Sequence, residues 1–268
     1  MRWEDLSADG FAAAVRSTRG VCLLPLSCLE RHGPHLPLAT DAFIARELCT
    51  RAAAIEPAVI FPDCVLTQIL EARHCPGTIA ISPDLAVRLL GEICQEIARN
   101  GLTRIILVNG HGGNSHMLHF FVQSQLASPI DYVVYLAKLQ LSGDDELAVR
   151  AQWESKVDGH AGESESSQML AIRPDLVHLS SLRDEQEGLP LDRLGNLHRA
   201  GLYTALWWYG DHPTHYRGSG LRATREKGER VLTARARALG AAISAVKNDT
   251  MTAQLQSEFF AACARVGQ

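Results

Sequence analysis

Carboxylates and imidazoles crowd into one run of the chain, Pro25 to Asp41, which reads PLSCLERHGPHLPLATD. Glu30, His32, His35 and Asp41 offer the oxygen and nitrogen donors that hold divalent metal ions. In an extended segment residues two apart project to the same side, so Glu30 and His32 converge on one point. The two oxygens of Asp41 suit it to bridge a pair of ions about 3.5–4 Å apart. A lone histidine in such a loop is ordinarily just a hydrogen-bonded loop residue. A glutamate, two histidines and an aspartate together are costly to desolvate unless a cation compensates them.

Two later runs carry the same residue types. NGHGGN, Asn109 to Asn114, sets His111 among Gly110, Gly112 and Gly113. These glycines remove side chains around His111 and permit φ > 0, so the backbone can fold closely against an ion or substrate. A phosphate-cradling loop is the competing use, but the run lacks both the G-x-G-x-x-G spacing and a Walker lysine. His116 and His119 fall on the following helix and read as surface or structural residues. HAGESES, His160 to Ser166, adds His160, Glu163 and Glu165. Carboxylates at a helix start are stabilised by about 0.3–1 kcal/mol, and Glu163 reads as such a solvated group. Glu165, beside His160, reads as functional, because the acids of the first run do not complete two coordination shells.

The elements that must position these runs are strands alternating with helices. Val21 to Leu26 and Ile105 to Val108 are continuous apolar runs of the kind expected for buried parallel strands. The first ends in the Glu30–Asp41 run and the second directly in NGHGGN. Val59 to Phe61, Thr78 to Ile81 and Tyr132 to Leu136 are further strand candidates. Helices are predicted from Asp9, as cap, to Ser17; from Thr40 and Asp41, as capping residues, to about Ala54; from Ser82-Pro83 to Gly101 with Leu85, Leu89, Ile93 and Ile97 on one face; from Ser115 to Leu126; and from Thr224 to Val246 with Leu232, Ala236, Leu239 and Ile243 on one side. His160 to Ile172 reads as a loop entering a helix stopped by Pro174. This alternation predicts an α/β protein, a three-layer α/β/α fold with a largely parallel central sheet. Ser142 to Trp153 is charged and mixed, Leu182 to Gly201 polar and irregular. Three uses are open for the aromatic loop Trp207 to Tyr216: lining a pocket, covering a subunit interface or packing on the core.

The chain has 268 residues, 46% of them hydrophobic and 21% charged, which fits one domain spanning 1–268. A formal net charge of -4 supplies no basic field for nucleic acid or an anionic membrane. No run is apolar and long enough to span a bilayer, and the start of the chain lacks a signal-like apolar region. The 7 cysteines are odd in number and form no C-x-x-C pair, so a reduced, cytoplasmic setting is expected. Cys28 and Cys75 lie beside the polar motifs, but a cysteine without an activating neighbour is usually inert.

Taken in order, ERHGPHLPLATD, HCPGT, NGHGGN and HAGESESS resemble the motif series of the creatininase family of metal-dependent amidohydrolases. The second is two residues shorter than the family's spacing. The resemblance implies a creatininase-like α/β fold, two divalent ions per subunit (zinc, manganese or iron), and a homo-oligomer, often a hexamer. It makes Glu30, His32, Asp41 and His111 ligands, with Asp41 bridging. The creatinine-hydrolysing branch has a ligand glutamate where this chain has Gly113, and Glu165 is expected to supply the missing carboxylate. That branch also has a tryptophan shortly before HAG, where Lys156 stands here. His160 is the expected catalytic acid/base, held near the ions by Glu165. His35, His74, Gly112 and Gly113 are expected to contact substrate or brace the ligands. The implied reaction is hydrolysis of a C–N bond, in a cyclic amide, by activated water, the partner being a small-molecule amide. A peptidase acting on a modified peptide, a deformylase acting on a purine-derived formamide, and a non-enzymatic metal-stabilised binding protein stay open as alternatives.

Overall fold

Alternating side chains on the strands decide the layering. The computed structural model describes residues 1–139, 141, 143–183 and 188–266. Strands β1 (Val21–Leu26), β2 (Val59–Ile60), β3 (Arg104–Asn109) and β4 (Val133–Leu136) form a parallel sheet in the order β2-β1-β3-β4. The helices are α1 (Ala8–Ser17), α2 (Thr40–Ile55), α3 (Pro83–Arg99), α4 (Ser115–Ser124), α5 (Gly143–Arg150), α6 (Glu163–Ile172), α7 (Gly195–Arg199), α8 (Trp207–Asp211), α9 (Arg225–Asn248) and α10 (Met251–Cys263).

Cys22, Leu24 and Leu26 of β1 turn to one face, with Ile105 and Leu107 of β3, where α1, α3 and α4 bury Ala14, Leu90, Cys94, Ile97, Leu118 and Phe121. Val21 and Leu23, with Ile106 and Val108, turn to the other, where α2 and α9 bury Leu48, Cys49, Ala52, Ala236, Leu239 and Ile243. The three layers are therefore helix, sheet, helix. The chain leaves β1 for α2 on the second face and leaves β3 for α4 on the first. Adjacent strands whose connections diverge in this way open a crevice at their carboxyl ends, where ligands bind in such folds.

Local expectations need correction in several places. Ser7, not Asp9, caps α1, accepting from Gly10 N. Neither Thr40 nor Asp41 caps α2: Thr40 Oγ1 bonds to Pro37 O, and Asp41 sits in the first turn facing His32 and His111. Residues 78–81 are not a strand; Ile79 N makes a single bond to Leu29 O as the loop passes the first motif. On α3 the buried stripe is Ala86, Leu90, Cys94 and Ile97, which leaves Leu85 exposed, because the helix is rotated toward its small residues. The mixed segment from Ser142 forms α5, although Ser142 itself lies outside the described residues. The polar stretch Leu182 to Gly201 includes 184–187, also outside them, and folds as α7 near its end. All seven cysteines are free, and no helix of the described residues is long and apolar enough to cross a membrane.

Candidate metal centre and active site

Two strand ends hold the first half of the site. Gly110 N donates to Leu26 O at 2.8 Å, locking the exit of β3 against that of β1. A Cβ at Gly110 would come within 2.9 Å of both Ala45 Cβ and Asp41 O, so only glycine lets this loop lie against the start of α2. None of Gly110, Gly112 and Gly113 uses the positive φ open to it; Gly110 serves close approach. At Gly113 a side chain would collide with Glu71 and with the His111 ring.

Asp41 stands at the middle. Its Oδ1 is 3.0 Å from His32 Nε2, and its Oδ2 is 3.1 Å from His111 Nδ1. Glu30 Oε1 is 2.7 Å from the same His111 nitrogen. On the other side Glu165 Oε2 lies 3.8 Å from His32 Nε2, with its backbone anchor in Ala161 N at 2.6 Å. Thus Cys28, Glu30, Asp41 and His111 converge on one point, His32, His160 and Glu165 on another, and Glu30, His160 and His215 on a third. Glu30, His32 and Asp41 are buried to 2% exposure or less.

Backbone carbonyls set the imidazole tautomers. His32 Nδ1 donates to Glu30 O at 3.2 Å, which leaves Nε2 as the nitrogen that faces Asp41 and would turn a lone pair to an ion on losing its proton. His160 Nε2 donates to Arg31 O at 2.7 Å, leaving Nδ1 free. Arg31, rather than Glu165, anchors His160. The backbone beside it is strained, Ala161 standing at φ 57.

Electrostatics favours added positive charge. Burial opposes the charge on His32, but Asp41 and Glu30 overcome it and hold the imidazole up at about 10. Burial opposes the charge on His111 too, and Glu30 and Asp41 prevail and hold it well above its ordinary value. Burial also works against Glu30 and Asp41, and the neighbouring histidines prevail and lower both. Glu165 goes the other way: burial, partly offset by His32, raises it to about 7. Burial and the charge on His32 lower His160 to about 3. Among the described residues no lysine or arginine pairs with Glu30, Asp41 or Glu165; only histidines do. Three carboxylates and nitrogen donors with oriented lone pairs form a mixed N/O set that fits divalent ions.

His215 was not foreseen as a site residue. It is buried, at φ 55, with Nε2 2.5 Å from Glu30 Oε2. Trp208 Nε1, which can only donate, gives its proton to His215 Nδ1 at 2.7 Å. Both ring nitrogens are thereby used, and His215 braces Glu30. Glu71 was also missed: its Oε1 faces the otherwise unpartnered His111 Nε2 at 4.0 Å.

Other expected residues are distributed differently. His35 is buried behind the site, bonded to Ser166 Oγ at 2.7 Å, and burial lowers it to about 4. His74, Gly112 and Gly113 line a cavity of about 1080 Å³ that opens onto Asp41, His111, His160 and Glu165. His116 lines it as well. Tyr203, Trp207, Trp208 and Tyr209 form its aromatic wall, so the loop from Trp207 begins by lining a pocket, while its later residues His212, His215 and Tyr216 are buried in the interior. Cys28 Sγ lies 3.3 Å from Glu30 Oε1, and burial pushes its thiol up. Glu163 is fully buried on Lys227, not a solvated cap.

The model of the creatininase family, described as creatinine amidohydrolase, matches residues 4–243. The creatinine amidohydrolase of Pseudomonas putida is 28% identical over 204 residues, 67% of this chain and 75% of that protein. The mycofactocin precursor peptide peptidase of Mycolicibacterium smegmatis is 32% identical over 218 residues, 78% of each. A crystal structure of creatinine amidohydrolase superposes with a TM-score of 0.75 at 23% identity, covering 93% of this chain and 98% of the other. The chain belongs to the creatininase family.

Proposed function

We propose that the chain is an amidohydrolase that hydrolyses a C–N bond at a pair of divalent ions held by Glu30, His32, Asp41, His111 and Glu165. The observation that carries this reading is Asp41, with one oxygen toward each of two buried imidazoles at 3.0 and 3.1 Å. Related creatininase structures include a Mn form and a Zn-Zn form, which supports zinc or manganese as the metal. Divalent ions bound there supply water of lowered pKa and polarise the scissile carbonyl.

The chain's own residues do the rest. His160, fixed through Nε2 on Arg31 O, presents Nδ1 to take and return the proton that passes to the leaving nitrogen. His215, oriented by Trp208, holds Glu30 in place. The cavity volume of about 1080 Å³ favours a substrate larger than one small ring, so a peptide-like amide, as in the 32% identical peptidase, is the second reading. A homo-oligomer is part of the proposal and is tested by light scattering.

The deciding experiment is elemental analysis of the purified protein, then turnover on creatinine and on short N-acyl peptides with added zinc or manganese. Two ions per chain and metal-dependent hydrolysis of one class are expected. Protein that binds no divalent ion ends the reading.

A further inference from the structure

One wall of the cavity carries a charge that the metal centre does not use. Arg217 lines it beside Gly159 and His160. Among the described lining residues it is the one with a permanent positive charge; the acids there are Asp41, Glu71 and Glu165. Its backbone N donates to His160 O at 2.9 Å, which ties its position to that of the proton-carrying histidine. Its stem lies over Gly159, where an added Cβ would come within 2.8 Å of Arg217 Cδ.

Among the described residues no ion pair occupies the guanidinium, and Arg217 Nε is buried and has no hydrogen-bond partner. A buried donor left unpaired costs free energy, and native structures seldom keep one without a use. The planar fork of an arginine matches a carboxylate with two parallel hydrogen bonds. The same cavity exposes Tyr203 at 76%, Leu206 at 64% and Tyr209 at 43%. Apolar surface gathered around a polar pocket calls for an apolar ligand part.

We propose that Arg217 binds a carboxylate of the substrate, so that the amide cleaved is part of an anionic, N-acyl amino acid or peptide-like molecule whose apolar part lies on the aromatic wall. The proposal rests on the amidohydrolase reading and narrows its substrate class. A neutral small ring would leave the guanidinium unpaired. A carboxylate reaching it sets the scissile amide on the metal side of the cavity, next to His160.

The test uses N-benzoylglycine and its neutral counterpart N-benzoylglycinamide, titrated calorimetrically into the full chain with and without zinc. Wild-type protein should bind the acid at least about tenfold more tightly than the amide, the range expected of a charge-assisted pair. Arg217→Gln should remove that preference, and Arg217→Lys, which keeps the charge but not the fork, should restore part of it. The preference should persist after zinc is stripped, which separates Arg217 from a carboxylate sitting on the ions. Equal binding of the two probes by wild type, undetectable binding included, overturns the proposal. So does a preference that survives in Arg217→Gln or vanishes with zinc. Zinc content measured on the same samples keeps the two readings apart: bound zinc without an Arg217 effect refutes only this proposal, whereas absent zinc refutes the metal reading.

Discussion

The two halves of the site are built differently. Glu30, His32, Asp41 and His111 sit at the exits of β1 and β3, buried, with their donor atoms aimed by strand ends and by the start of α2. His160, Glu165, His215 and Arg217 come from later loops and short helices, held by single backbone bonds and by left-handed φ at Ala161 and His215. A rigid sheet edge suits fixed coordination, while loops set what is admitted and where protons go. On the proposed reading the sheet half supplies four of the ion ligands and the loop half adds Glu165, its other residues facing the substrate or bracing the ligands, and each half can be broken separately.

The largest effect is expected in the sheet half. Asp41→Asn leaves one oxygen to serve two imidazoles, so zinc content should fall by at least one ion per chain and turnover by roughly 1000-fold or more. Full metal content in this variant, by elemental analysis, would remove Asp41 from the bridging position. Next comes the loop half: His160→Ala should keep both ions and lose about 100- to 10,000-fold in turnover. If that variant loses its metal instead, His160 is a ligand and the division between the halves fails. A smaller effect is expected behind His111, where Glu71→Gln weakens a carboxylate partner of the imidazole proposed as a ligand. Metal affinity should drop about 10- to 100-fold in a chelator competition, and an unchanged affinity would make Glu71 a bystander.

The difference between the halves also explains what could be read from the chain. β1 and β3 are uninterrupted apolar runs followed at once by donors, so element, position and chemistry coincide in a few residues. His215 offers no such pattern. It stands in a loop with His212 and several aromatics, and its role depends on a left-handed backbone and on a proton from Trp208, neither of which has a period or spacing. The WWYGDHPTHYR run did carry a signal, the density of rings and histidines, without saying which one reaches Glu30. Glu71 was hidden for a related reason. It precedes His74 by three residues in a loop, and only the absence of a side chain at Gly113 makes room for its carboxylate.

Glu163 and Glu165 bring the comparison down to two carboxylates in one helical turn, and the smallest effect on turnover is expected there. Glu163 accepts from Ser155 N at 2.7 Å, from Glu154 N at 3.1 Å and from Lys227 Nζ at 2.5 Å, joining the loop before α6 to α9. Burial opposes its charge, but Lys227 and the backbone N–H groups win and hold it below its ordinary value. A lowered folded-state pKa means stability that is complete above the ordinary carboxylate value and is lost as pH falls through the folded one. Glu163→Gln turns an amide NH2 toward donors and leaves Lys227 without its buried partner, so about 3 kcal/mol of stability should be lost at pH 7. The gap between wild type and variant, read from denaturant midpoints, should narrow as pH drops below about 4. Turnover at neutral pH should stay within about twofold, since Glu163 touches neither ion site nor the cavity. A stable but inactive Glu163→Gln would place this carboxylate in the chemistry and erase the contrast with Glu165, whose few partners and raised pKa support its proposed place at an ion.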